Sequence, residues 1–211
     1  MKHLLLALTL LMLGAAPGMA QPSEQQLLEA YHNQDMSVWK AYIDASDWTG
    51  LPATEQLRLL RYEYGFAAAM LELDKAHAKA YIQQFADHIE QARPILSQAL
   101  YNVYMSAYHT YSLAQTMNLF AHGNAIFAHA QAALDADPTE PMSWVMQGNI
   151  HFFAPRLMGG DKRKALEEYS RADSLFMLRP DIYTTRWELY EERMNRQKCK
   201  EKIQKAKKNN K

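Results

Sequence analysis

Cysteine is nearly absent from this sequence: the 211 residues include one, Cys199. An internal disulfide is therefore excluded, and the fold must be stabilised by side-chain packing. Since 48% of the residues are hydrophobic, a chain of this length can bury a full core as one domain. Cys199 falls at a small-residue position of a predicted helix, which favours a buried and unreactive thiol.

Motifs for catalysis and phosphate binding are absent as well. The sequence has no HExxH, no GxSxG and no paired-cysteine metal signature. The turn Gly159-Gly160-Asp161 lacks the Lys-Ser/Thr pair of a phosphate loop, so we interpret it as structural, with Asp161 capping a helix that begins near Lys162. We predict a protein that is not an enzyme and that carries no cofactor.

The chain has no net charge, but its charges are unevenly distributed. Residues 21–185 carry 12 basic and 19 acidic side chains, whereas residues 186–211 carry 10 basic and 4 acidic ones. A basic tail can bind nucleic acid or an anionic membrane. Because no aromatic stacking pattern accompanies the charge, we expect no nucleic-acid partner and interpret the tail as a solvated final helix that caps an array of helices.

The first 20 residues have the parts of a secretory signal peptide. Lys2 is followed by an apolar run from Leu4 to Leu13 and by Gly18-Met19-Ala20, which predicts cleavage after Ala20. The apolar run is shorter than the roughly 20 residues of a spanning helix. No cysteine follows it for a lipid anchor. We expect a periplasmic or secreted protein without a stable membrane anchor.

The N-terminal half reads as consecutive helices with recognisable start signals. Ser23 and Gln26 form a capping box for a helix that ends near His32, and Asp35 caps the next. Apolar residues then recur at spacings of three and four. Further helices are predicted from about Pro52, over Lys75–Ala92, and over Pro94–Met117.

The C-terminal half places small side chains at regular positions. Trp144 and Gly148 lie four residues apart on one helix, and Ala165, Tyr169 and Ala172 lie on the next. Where two helix axes approach to roughly 8–10 Å, only small residues fit. This pattern resembles the tetratricopeptide repeat, a unit of about 34 residues, over roughly residues 125–206. The pattern departs from the family at Ile126, Met177 and Trp187, and about five extra residues separate the helices of one unit.

The resemblance implies an all-α, right-handed solenoid of about eight helices. Residues 21–118 would form degenerate hairpins, and residues 119–211 clearer repeat units ending in the basic helix. Such arrays present a concave surface to an extended peptide or a partner helix. We therefore expect a non-catalytic interaction module or scaffold with an unknown protein or peptide partner.

Four tyrosines border the most apolar predicted helix, which leaves two interpretations open. They could line a groove that binds a peptide or an apolar ligand, or they could be core residues whose hydroxyls reach the surface. We favour the core interpretation and keep the groove as a candidate ligand site. The four are Tyr101, Tyr104, Tyr108 and Tyr111.

Histidines offer the other candidate site. His122 and His129 are seven residues apart on one helix face, and His151 could face them from the next helix. Three imidazoles can bind a metal ion or transfer protons. Because no carboxylate sits one turn away and His151 occupies a packing position, we favour a structural role over a metal or hydrolytic site.

A second resemblance supports an alternative function. Ala154-Pro155, Gly159-Gly160-Asp161 and Lys164-Ala165 look like a segment of exported repeat proteins that include periplasmic components linked to TRAP-type solute transporters. That likeness would imply a binder of small apolar ligands associated with solute uptake.

Overall fold

The computed structural model describes residues 21–209, which are helical almost throughout and contain no strand. The all-α prediction is confirmed; the proposed signal peptide, residues 1–20, lies outside the described residues. None of the described helices is long and apolar enough to cross a membrane. The α-helices are α1 (Glu24–His32), α2 (Met36–Ala45), α3 (Ala53–Leu73), α4 (Lys75–Ala92), α5 (Gln98–Thr116), α6 (Leu119–Ala136), α7 (Pro141–Phe153), α8 (Lys162–Phe176), α9 (Pro180–Tyr183) and α10 (Trp187–Asn209).

Helix boundaries follow the capping residues closely. Ser23 forms the predicted capping box with Gln26, and the side chains of Asp35 and Asp161 accept backbone N–H groups at the starts of α2 and α8. The predicted start of α5 at Pro94 was wrong. Ser97 caps that helix by accepting from the Leu100 N–H, because the preceding residues turn back onto α4.

Successive helices pack as hairpins, α3 on α4, α5 on α6 and α7 on α8. The small residues expected at helix contacts lie there: Ala165 and Ala172 are fully buried. A Cβ atom built on Gly148 would come within 2.7 Å of the Tyr169 ring. A larger residue at position 148 would therefore push α7 and α8 apart.

The first turn of α10 joins the two ends of the chain. Trp187 packs against Trp39 of α2, with ring centroids 5.3 Å apart, and against Tyr64 of α3 at 5.6 Å. Next to it, Glu188 forms an ion pair with Arg61 at an N–O distance of 3.1 Å. The start of the C-terminal helix is thus part of the main core. Sequence reasoning placed this helix only at the end of the array.

Cys199, further along α10, is fully buried beside Phe152, Ala165 and Tyr169. Burial raises the pKa of its thiol to about 11, so the reactive thiolate is scarce at neutral pH. The expectation that this thiol is buried is confirmed.

Candidate functional site

An apolar pocket of about 640 Å³ opens between α3, α5, α6 and α7. The connection from α7 to α8 forms one edge of its mouth, and α10 reaches it through one side chain, Glu191. Its volume lies within the roughly 300–1,000 Å³ that is usual for small-molecule sites. The lining residues are Tyr64, Ala68, Leu71, Glu72, Ala107, Thr110, Tyr111, Leu113, Ala114, Met117, Leu119, Gly123, Ile126, Phe127, Met146, Asn149, Ile150, Phe153, Ala154, Pro155, Met158 and Glu191.

One polar part of this pocket is a carboxyl group beside two phenols. Burial first, and then the nearby Glu188 carboxylate, raise the pKa of Glu191 to about 7, while Lys198 opposes the shift. Burial also raises the pKa of Tyr64 and Tyr111 well above the ordinary 10.0. Near neutral pH the two phenols are therefore uncharged, and Glu191 is divided between its neutral and ionised forms.

Two local turns shape the mouth. Met117 ends α5 in the left-handed conformation, with φ of 58°, and its N–H donates to the Leu113 carbonyl. On the other side, a Cβ atom at Gly160 would lie 2.0 Å from the Ala154 carbonyl oxygen, so glycine is required there. These turns place Met117 opposite the segment that carries Phe153 and Met158, the other lining residues of the mouth.

The structure separates the four predicted tyrosines. Only Tyr111 lines the pocket. Tyr101 and Tyr104 are 8% and 5% exposed and belong to the core, and Tyr108 packs against that core. The four do not share one groove. Tyr104 and Tyr111 both pack on Phe85 of α4, whereas Tyr101 donates to Glu90 of α4 and Tyr108 packs against His122 of α6.

Two residues of the pocket floor, Tyr64 and Glu191, were missed by sequence reasoning. Tyr64 was recognised only as one residue of an apolar helix face. Glu191 stands in the charged segment interpreted as a solvated end helix. A carboxylate followed by Glu192 and Arg193 gives no local signal of burial, because its environment is supplied by α3 and α5.

The histidines form a different cluster from the predicted trio. The Nδ1 atoms of His122 and His109 are 3.0 Å apart, and the His129 ring stacks on His109 with centroids at 5.6 Å. His151 lies instead 2.7 Å from the Glu168 carboxylate on α8. The three histidines of that alternative do not converge, because α7 turns this face toward α8, whereas α6 turns its histidines toward α5.

The histidine cluster is not arranged as a metal centre. Burial lowers the pKa of His109 and His129, so both imidazoles are neutral at neutral pH. The His129 Nδ1 atom is 2.9 Å from the Asn102 side-chain oxygen. Across residues 21–209, no group of three or more His, Cys, Asp or Glu side chains is arranged to hold a metal ion.

The fold is similar to that of a haemophore. The structure superposes on the HusA haemophore from Porphyromonas gingivalis with a TM-score of 0.59, over 89% of this chain and 96% of that chain, at 16% sequence identity. No known family model and no curated protein matches the sequence. At this identity the comparison establishes a shared helical fold.

Chemically, the pocket is suited to enclosing an apolar body. Among its lining residues the ionisable groups are Glu72, Glu191, Tyr64 and Tyr111, and neither histidine, cysteine, lysine nor arginine is present. Methionine side chains at three lining positions are flexible and polarisable, so they can adapt to a large ligand. The three are Met117, Met146 and Met158.

Proposed function

We propose that this chain is an exported, non-catalytic binding protein whose pocket holds a large, flat, mostly apolar ligand of the porphyrin class. The observation that carries the proposal is the 640 Å³ apolar pocket, in a fold similar to that of a haemophore. Export rests on the signal-peptide pattern of residues 1–20. The absence of nucleophile and base motifs supports a binding role over a catalytic one.

In this proposal the apolar ring system lies between α5, α6 and α7, and burial of its surface provides most of the affinity. Ala107, Ala114 and Gly123 leave room for a flat body because their side chains are small. Charged edge groups of the ligand stay at the open mouth, because ionised groups are costly to bury without partners. The neutral forms of Glu191 and the tyrosines can donate hydrogen bonds to the ligand.

The tetratricopeptide-like interpretation remains a proposal for α7 and α8. It is supported by the close approach of Gly148 to Tyr169 and by the burial of Ala165 and Ala172. A peptide-binding role fits less well, because Trp187 and Glu188 of α10 pack against α2 and α3 and fill the space that an open array leaves for a peptide.

The first experiment is an absorbance titration of residues 21–211 with haem and with metal-free protoporphyrin IX. We expect saturable one-to-one binding of both, with affinities within about tenfold. Ring burial, rather than an iron ligand, dominates because neither histidine nor cysteine lines the pocket, the phenols of Tyr64 and Tyr111 are held protonated by their raised pKa, and methionine thioethers are weak ligands.

A pocket-filling variant tests the location. Ala114→Trp puts an indole into the pocket and should weaken binding at least about tenfold. Its control is Ala128→Trp, on the exposed surface of α6 outside the lining, which should bind like the wild type. Absence of saturable binding by the wild type, or equal weakening by both variants, would contradict the proposal.

A further inference from the structure

Exposed apolar side chains are concentrated around the mouth of the pocket. Five large hydrophobic residues that line it are themselves exposed, among them Met117 at 78% and Phe153 at 65%. Leu157 and Phe120, which adjoin the lining residues Met158 and Leu119 in the chain, are 100% and 104% exposed. Soluble proteins rarely keep such side chains together in water without an interaction partner. We call this surface, built from residues 117–120 and 153–158, the apolar rim.

Positive charge flanks one side of the apolar rim. Arg156, Arg163 and Lys164 are exposed, and none takes part in the ion pairs of residues 21–209. The carboxylate of the neighbouring Asp161 accepts hydrogen bonds from the first backbone N–H groups of α8, rather than forming ion pairs with these three cations. The other side of the rim, residues 115–134, carries neither carboxylates nor lysines or arginines.

The basic C-terminal helix lies at the same end of the molecule. The Lys202 ammonium group is 4.5 Å from the centre of the Phe152 ring, next to Phe153 of the rim. Residues 198–208 are rich in lysine, and the charged side chains of this stretch are largely exposed. The cationic surface thus extends from the rim along the end of α10.

We propose that the apolar rim docks reversibly on a lipid bilayer that contains anionic headgroups. Leu157 and Phe120 enter the interface, while Arg163 and Lys164 contact lipid phosphates. The mouth of the pocket then faces the membrane, and an apolar ligand passes between bilayer and pocket without crossing water. Docking is peripheral and does not depend on which ligand the pocket holds.

The charges favour a bilayer over a protein partner. Fully exposed apolar tips beside unpaired cations are typical of proteins that lie in the membrane interface. Each basic residue near an anionic surface adds roughly 1 kcal/mol, equal to about a fivefold gain in affinity, and salt screens this attraction. A protein-docking surface of similar size has fewer exposed lysines, which are depleted at protein interfaces.

The test is flotation of residues 21–211 with vesicles that contain no porphyrin, so that its outcome is independent of the ligand proposal. We expect binding to vesicles of phosphatidylcholine and phosphatidylglycerol in a ratio of about three to one. Binding should weaken at least about fivefold with phosphatidylcholine alone or at high salt, because the attraction to headgroups is lost.

Two pairs of double variants separate the apolar and the electrostatic parts. Phe120→Ser with Leu157→Ser should weaken vesicle binding at least about tenfold. Its control is Ile95→Ser with Leu178→Ser, two aliphatic residues that are 36% and 76% exposed and that neither line the pocket nor adjoin its lining residues in the chain. This control should leave vesicle binding unchanged.

The charge pair is Arg163→Glu with Lys164→Glu at the start of α8. Its control is Arg171→Glu with Arg179→Glu, exposed arginines on α8 and just after it that take no part in the ion pairs of the described residues, so that both doubles change the charge equally. Only the first should lose binding to anionic vesicles. The proposal is overturned if the wild type floats with neither composition, or if each control loses as much binding as its partner.

Discussion

At the scale of single residues, Glu191 and its neighbours determine the polarity of the pocket floor. The carboxyl group is placed there by α10 and lies close to Tyr64 and Tyr111. Because burial raises its pKa to about 7, the floor changes from neutral to anionic over the physiological range. An apolar ligand is favoured by the neutral form.

Glu191→Gln tests this assignment through the pH dependence of stability. The folded-state pKa is about 7 against an ordinary 4.5, so the native state binds the proton more tightly than the unfolded chain. The stabilisation is complete below about pH 4.5 and is lost as pH rises through 7. From pH 5 to pH 8, the unfolding free energy of Glu191→Gln should rise by on the order of 2 kcal/mol relative to that of the wild type.

Urea unfolding of both proteins at several pH values measures this difference. His109 and His129, whose pKa values are lowered, give stability that is present at neutral pH and lost in acid, but they are common to both proteins and cancel. A free-energy difference that stays constant from pH 5 to pH 8 would show that Glu191 is already ionised at the lower limit.

Gly65 permits the closest contact between α3 and the aromatic core. A Cβ atom there would lie 2.7 Å from the Trp187 ring and 2.8 Å from that of Trp39. Gly65→Ala should therefore destabilise the fold by about 1–3 kcal/mol, even though alanine favours a helix. The control Gly50→Ala meets its nearest atom at 3.4 Å and should change the unfolding free energy little. Equal effects of the two substitutions would refute the packing argument.

At the scale of elements, the sequence predicted those helices whose boundaries depend on local chemistry. The bounds of α1 and α4 and the cap of α8 were predicted, and in the structure the side chains of Ser23, Asp74 and Asp161 accept backbone N–H groups within the same turn. The start of α5 and the four-residue α9 were not predicted. Both depend on how the connecting chain turns back onto a neighbouring helix.

Asp161 links a helix cap to the shape of the pocket mouth. Its carboxylate accepts from the N–H groups of Arg163 and Lys164, and these hydrogen bonds lower its pKa. Asp161→Ala should cost about 0.5–2 kcal/mol, whereas Asp161→Asn should retain most of the stability. Because the pKa is lowered, the contribution of aspartate is present at neutral pH and lost as pH falls through the folded-state pKa.

Thermal or urea unfolding at pH 7 and at pH 3 distinguishes these cases. The difference in unfolding free energy between the wild type and Asp161→Ala should be smaller at pH 3 than at pH 7. A gap that is equally wide at both pH values would mean that the side chain acts by packing rather than as a charged cap.

At the scale of the whole molecule, the pocket depends on contacts between the two ends of the chain. Trp187 packs on Trp39 and Tyr64, and the following turns of α10 bring Glu191 to the pocket. No periodicity reveals such pairing, because the partners are far apart in sequence. Tyr111 was a predicted site residue. Its neighbour Tyr64 was not predicted, because the packing of α3 on α5 brings the two side chains together.

Trp187→Ala should therefore destabilise the entire fold. Removing a fully buried indole costs about 3–5 kcal/mol, and Trp187 is 2% exposed. The control is Trp144→Ala, a partly exposed indole whose N–H donates to the Pro138 carbonyl, for which a loss of about 1 kcal/mol is expected. Urea unfolding followed by circular dichroism measures both. Similar losses would show that the chain ends are not joined through Trp187.

The account centres on the pocket as the ligand site, and an amide NMR map with metal-free protoporphyrin IX tests it most directly. Ring currents of a bound porphyrin should shift the resonances of Ala107, Ala114 and Gly123, which line the pocket, and leave those of Leu27 and Ala30 in α1 unchanged. Shifts confined to residues remote from the pocket lining, or no shifts at saturating porphyrin, would contradict the account.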